Sequence, residues 1–169
     1  MLSKVDMILA LGSLFLLTAM FPVSGQTLPG PGEADPAVKT QNLIDKLGST
    51  GQPTELSSAK SQLVALGKAG LPFLHAAVTN DKRIFVRVQI CFVLAKIADP
   101  SSVAVLERVA RSQFPALNRA AVINLKNIGG TAVVGSLERI RSVTHDTNLD
   151  ILIRNSLNEL KNRNFATNH

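Results

Sequence analysis

A leucine that returns at a nearly fixed distance constrains this chain more than any other feature. Leu66, Leu94, Leu125 and Leu157 recur at intervals of about thirty residues, the first interval being the shortest, and Ala69, Ile97, Ile128 and Leu160 follow them at an offset of three. A second series, Leu74, Leu106 and Leu137, keeps the same interval and interleaves with the first. Residues three apart share one face of a helix, and a period near thirty holds two short helices and a turn. Such a unit buries its apolar face only against copies of itself. The pattern therefore predicts an all-α fold, an α-solenoid of about four antiparallel helix pairs.

The unit is clearest from Gly70 to Leu106. Leu71 and Leu74 precede the polar turn Asn80-Asp81-Lys82, and Val86, Ile90, Val93, Leu94 and Ile97 follow it at helical spacing. Upstream, Pro36 opens a helix with Val38, Leu43, Ile44 and Leu47 on its apolar side and Gly48 as its stop. Thr54 is the expected N-cap of the second helix, whose stripe is Leu56, Ala59, Leu63, Leu66 and Ala69. Downstream, Asp99-Pro100, Pro115 and Gly129-Gly130-Thr131 mark helix boundaries, and the last helix carries Leu149, Ile153, Leu157 and Leu160.

The ends differ from this pattern. Residues 1–25 have Lys4, an apolar run from Met7 to Phe21, then Pro22 and small residues, the layout of a secretory signal peptide cut between Gly25 and Gln26. The alternative is a retained anchor, since the stretch from Met7 to Val23 just reaches the length that crosses a bilayer. Residues 26–36 combine Pro and Gly and read as a flexible linker. The repeat domain is expected over 37–163, with a tail at 164–169.

Composition narrows the function. The chain has no Trp or Tyr, and two of its seven Phe lie in the leader, which disfavours ligands held by ring stacking. Cys91 is the one cysteine, so no intramolecular disulfide forms, and its place in an apolar helical run reads as core. Three histidines, without metal-ligand spacing or a cysteine partner, predict no metal and no cofactor. Neither a nucleophile motif nor a phosphate loop is present. Residues 82–126 hold eight Lys or Arg against Asp99 and Glu107, a net of +6 that equals the charge of the whole chain. A basic centre points to an acidic partner surface.

The segment Asp81-Lys82-Arg83-Ile84-Phe85-Val86-Arg87, with Leu94, Ile97 and Asp99-Pro100 after it, resembles HEAT repeats, in particular the short class of the phycobilisome lyases. Asp81 matches the turn acid and Val86-Arg87 the Val-Arg pair; in the next unit Gln113 replaces the acid and Arg119 follows at the same distance. In the last unit Asp146 is followed by Leu152 where Arg is expected. The resemblance covers about residues 37 to 162 and implies a right-handed solenoid whose second helices line a concave face. It also implies binding more often than catalysis.

Lys82, Arg83, Arg87 and Arg119 are thus the candidate binding residues. For Arg87 and Arg119 two readings stand: contacts to a partner, or ladder residues that bond the turn acid of an adjacent repeat. The expected function is an exported scaffold, not an enzyme, that binds another protein with an acidic surface through a basic concave face. The alternatives are a binder of anionic polymer and an accessory subunit of an envelope enzyme. Nucleic acid is not an expected partner, given export and the lack of interleaved aromatic residues. A homo-dimer is an open option if a terminal helix leaves an apolar face.

Overall fold

A computed structural model describes residues 35–49 and 51–166; the expected leader and most of the linker lie outside them. Eight α-helices follow one another among these residues: α1 (Pro36–Ser49), α2 (Pro53–Leu66), α3 (Leu71–Asn80), α4 (Ile84–Ile97), α5 (Ser102–Ala110), α6 (Pro115–Ile128), α7 (Thr131–Arg141) and α8 (Thr147–Ala166). A short 3₁₀ turn, Gly67–Gly70, joins α2 to α3.

Consecutive helices pack as pairs, α1 on α2, α3 on α4, α5 on α6 and α7 on α8. The pairs stack so that α1, α3, α5 and α7 form one layer and α2, α4, α6 and α8 the other. This is the α-solenoid that the leucine period predicts. Between the layers lie Leu43, Leu74, Leu106 and Leu137 from the first helices and Leu63, Leu94, Leu125 and Leu157 from the second, each no more than 6% exposed. Losing one of these side chains to alanine removes about 2–5 kcal/mol, because its neighbours cannot close the gap.

The register of the first unit differs from the sequence expectation. Leu63, and not Leu66, stands where Leu94 and Leu125 stand, which lengthens the short first interval to match the others. Helix ends decide this register. The chain turns out of α2, α4 and α6 at Gly67, Ala98 and Gly129, each with positive φ and each one helical turn past its leucine. Leu66 belongs with Ile97 and Ile128, while Ala69 is exposed in the 3₁₀ turn.

Three local expectations are also corrected. Val38 is 54% exposed, and buried Thr40 takes the place expected for it, its hydroxyl donating to the Pro36 carbonyl at 2.6 Å. The cap of α2 falls at Gln52, because Pro53, with no N–H to lose, occupies the first turn ahead of Thr54. Gly48 lies inside α1 and does not stop it. A Cβ there would meet the Arg83 guanidinium at 2.6 Å, so the glycine admits that side chain across the helix.

Ala98 is the one non-glycine with positive φ among the described residues, at 55°. An L side chain in that region costs about 1–2 kcal/mol, partly offset by the greater freedom of glycine in the unfolded chain. Ala98→Gly is expected to stabilise the protein by about 0.5–1 kcal/mol. A urea unfolding curve would show a raised midpoint with unchanged slope.

Candidate functional site

The even register gives every position on the second helices an equivalent in the other repeats. In α4, Val86, Ile90, Leu94 and Ile97 point between the layers, while Phe85, Phe92 and Lys96 lie on the opposite side. Phe85 is 53% and Phe92 40% exposed, although both are large apolar side chains. Their equivalents are Thr54 and Ser61 in α2, Ala116 and Ile123 in α6, and Asn148 and Asn155 in α8. Of these six, Ile123 alone is large and apolar, and it is half-buried. At these two positions the exposed apolar surface is therefore centred on α4, and elsewhere in the layer Ile151 of α8 is 44% exposed. Isolated exposed apolar residues need no explanation, but two that are two turns apart on one helix face form a patch.

A groove of about 460 Å³ runs beside this patch, between α2 and α4. It is lined by Ser57, Lys60, Ser61 and Val64 from α2 and by Phe92, Val93 and Lys96 from α4. The cause is one residue. Lys60 occupies the position that Cys91 holds between α4 and α6 and that Val122 holds in α6. A lysine cannot be buried between two helices as a Cys or Val can, and its Nζ instead donates to Gln89 Oε1 at 3.2 Å across the gap. The groove opens around that bond.

The candidate cations fall into different places. Arg83 holds Asp81 through two bonds, Nε to Oδ1 at 3.0 Å and Nη2 to Oδ2 at 2.7 Å, and reaches Asp45 of the preceding pair at 3.1 Å. Those bonds hold the Asp81 carboxyl below the usual carboxylate range and raise the Arg83 pKa further. Arg87 donates through Nε to the Val78 carbonyl at 2.7 Å and rests 5.8 Å from the centroid of Phe114 in the next pair. The link from a repeat arginine to the acid of an adjacent repeat is thus made by Arg83.

Arg119 lies one residue beyond the equivalent of Arg87, which is Asn118. Asn118 Nδ2 donates to the Ser112 carbonyl at 2.8 Å and closes its own turn, leaving Arg119 exposed on the second helix. Lys82 is exposed in the α3–α4 turn. Neither has a charged partner among the described residues. The other basic residues of the centre are divided: Arg111 is paired with Glu107 and Lys126 with Glu159, while Arg108 faces outward from the first layer.

Two further groups matter for chemistry. Burial pushes the Cys91 thiol up to about 12, so it stays protonated and acts as core. Burial also lowers the pKa of His75, whose Nε2 is 3.0 Å from Ser102 Oγ in the next pair. Among the described residues no group of three or more His, Cys, Asp or Glu is placed to hold a metal ion. Sequence reasoning missed Phe85, Phe92, Lys60 and Lys96. The two Phe were visible as apolar residues off the buried stripe of α4, but Lys60 acquires meaning only once α2 is registered on α4.

No protein-family model matches the chain, and no curated protein does. Among solved structures the chain is similar to one in the complex of CpcE and CpcF of phycocyanin lyase from Nostoc sp. PCC7120. The two share 26% identity and a TM-score of 0.57, over 73% of this chain and 80% of that one. The chain is a HEAT-like repeat protein. The expectation that it is not an enzyme is corrected by the same match, because the HEAT-like chain it resembles belongs to a lyase complex. Short contiguous motifs, on which that expectation rested, are silent about chemistry carried out in an assembly.

In this HEAT-like solenoid Glu107 ties the third pair to the fourth. It accepts from Arg139 at 3.0 and 2.7 Å, from Ser136 Oγ at 2.7 Å and from Arg111 at 2.6 Å. The Arg139 bonds above all hold its carboxyl below the usual range. A carboxylate with a lowered folded pKa adds stability above its unfolded value, near pH ~4.3, and loses it as pH falls through the folded value. Chemical denaturation between pH ~6 and ~3 should therefore show a shallower loss of stability in Glu107→Gln than in the parent.

Proposed function

We propose that this chain is an exported HEAT-like docking subunit. It binds a protein partner on the exposed face of its second helices and works as part of an enzyme assembly. The observation that carries this reading is the pair Phe85 and Phe92, held exposed on α4 in a layer whose other repeats place mostly small or polar residues there. Exposed aromatic residues on a rigid helix face supply contact area at little entropic cost, and such residues dominate protein interfaces. The likeness to a complex of two proteins supports a protein partner.

Lys96, one turn from Phe92 on the same helix face, favours an acidic partner. Of the cations of the basic centre without a charged partner among the described residues, Lys82 lies in the α3–α4 turn, Arg108 on the first layer, and Lys96 and Arg119 on the second, a scatter that argues for a protein over an extended anionic polymer. Arg83 and Arg87 serve the interface through the shape of the scaffold.

Export is supported by the basic start, apolar run and small residues of positions 1–25. Among the described residues no helix is long and apolar enough to cross a membrane. Two measurements test the proposal. N-terminal sequencing of the protein from its native host should begin at Gln26, and an intact Met1 would overturn cleavage and leave the retained anchor. A photo-crosslinking phenylalanine at position 85 should yield an adduct with one defined protein, whereas the same group at exposed Val38 in α1 should not. Equal adducts at both positions, or none at 85, would overturn the docking face.

A further inference from the structure

The docking face is built from helices, and this restricts what can lie in the groove between α2 and α4. The floor, from Val64, Phe92 and Val93, is apolar, and the backbone beneath it is already bonded within its helices. An extended segment laid there would lose water from its own N–H and C=O groups and find no partners. A helix arrives with its backbone satisfied. The groove also lies between two neighbouring helices, which is the geometry in which an amphipathic helix seats its apolar stripe.

The charge on the walls is of one sign. Lys60 and Lys96 stand on opposite sides of the groove, and no carboxylate lines it. Lys60 is bonded to the neutral amide of Gln89, which satisfies one N–H and leaves its charge uncompensated. Lys96 is exposed and has no charged partner among the described residues. A segment entering the groove therefore meets one cation on each wall. The serines at 57 and 61 keep the α2 wall low and let the occupant approach.

We propose that this groove takes an amphipathic α-helix of the partner, one whose apolar stripe is flanked by Asp or Glu. The inference rests on the docking reading above and names the kind of segment that is docked. Apolar residues at i, i+3, i+4 and i+7 would cover Val64, Phe92 and Val93, with carboxylates reaching Lys60 and Lys96.

The test uses the whole chain and three fluorescent synthetic peptides, followed by anisotropy at low and moderate salt. One peptide is an alanine-based helix with Leu at i, i+3, i+4 and i+7 and Glu on both flanks; the second has Lys for every Glu; the third has Pro in the middle of the first. The Glu helix should bind the parent chain, and the other two should bind about tenfold more weakly or worse. Phe92→Ser and Lys96→Glu alter exposed side chains, and unchanged thermal melts would establish that both variants fold. Each should weaken the Glu helix about tenfold, while Phe85→Ser, outside the groove, should not.

Equal binding of the Lys peptide, or full binding to the folded Lys96→Glu variant, would overturn the charge assignment. Equal binding of the Pro peptide would overturn the helical occupant. A crosslinked partner at position 85 with no binding of the Glu helix would overturn this inference and leave the docking face standing.

Discussion

Each helix pair has a leucine on both of its helices that only the neighbouring pairs can keep from water, and the rest of the structure depends on this. Leu43, Leu74, Leu106 and Leu137 in one layer and Leu63, Leu94, Leu125 and Leu157 in the other form a continuous seam. At roughly 1.5–3 kcal/mol for each fully buried leucine, the seam outweighs any polar contact in the molecule. A pair taken alone would expose it. Stability is therefore shared along the stack, and each pair is held by those on either side.

Polar contacts add direction to that seam. Successive pairs are tied by Arg83 to Asp45, His75 to Ser102, and Glu107 to Arg139. Within pairs, one position near the start of the second helix closes the turn three times with different chemistry. Arg87 bonds the Val78 carbonyl, Asn118 bonds the Ser112 carbonyl, and Asp150 accepts from Arg141. Exposed ion pairs contribute little to stability. The one on Glu107 has most of its carboxylate covered and fixes the fourth pair on the third, while covered Asp81 holds Arg83 within its own turn, from which it reaches Asp45.

The surface character of the second-helix layer follows from where this regularity breaks. Between α4 and α6 small and apolar residues, Cys91 and Ala95, allow close packing. Between α2 and α4 the equivalent of Cys91 is Lys60, the helices separate, and a groove with apolar floor and basic walls appears beside Phe85 and Phe92. A repeat scaffold gains a binding surface in this way without any change of fold.

Local pattern alone determined the all-α class, the number of helix pairs and most of the core, because a burial period near 3.6 residues and a repeat near thirty are properties of neighbouring residues. It also marked Cys91 as core. It misplaced the first repeat by one turn of helix, since Leu63 and Leu66 both suit a helix face and only the turn at Gly67 distinguishes them. Tertiary structure decided which cations are held and which are free. Arg83 is drawn to an aspartate of the preceding pair, and Arg119 is left outside by a shift of one position relative to Arg87. It also decided the groove, which depends on one residue of α2 facing α4. Such distinctions rest on distances between helices far apart in sequence, and no local spacing encodes them.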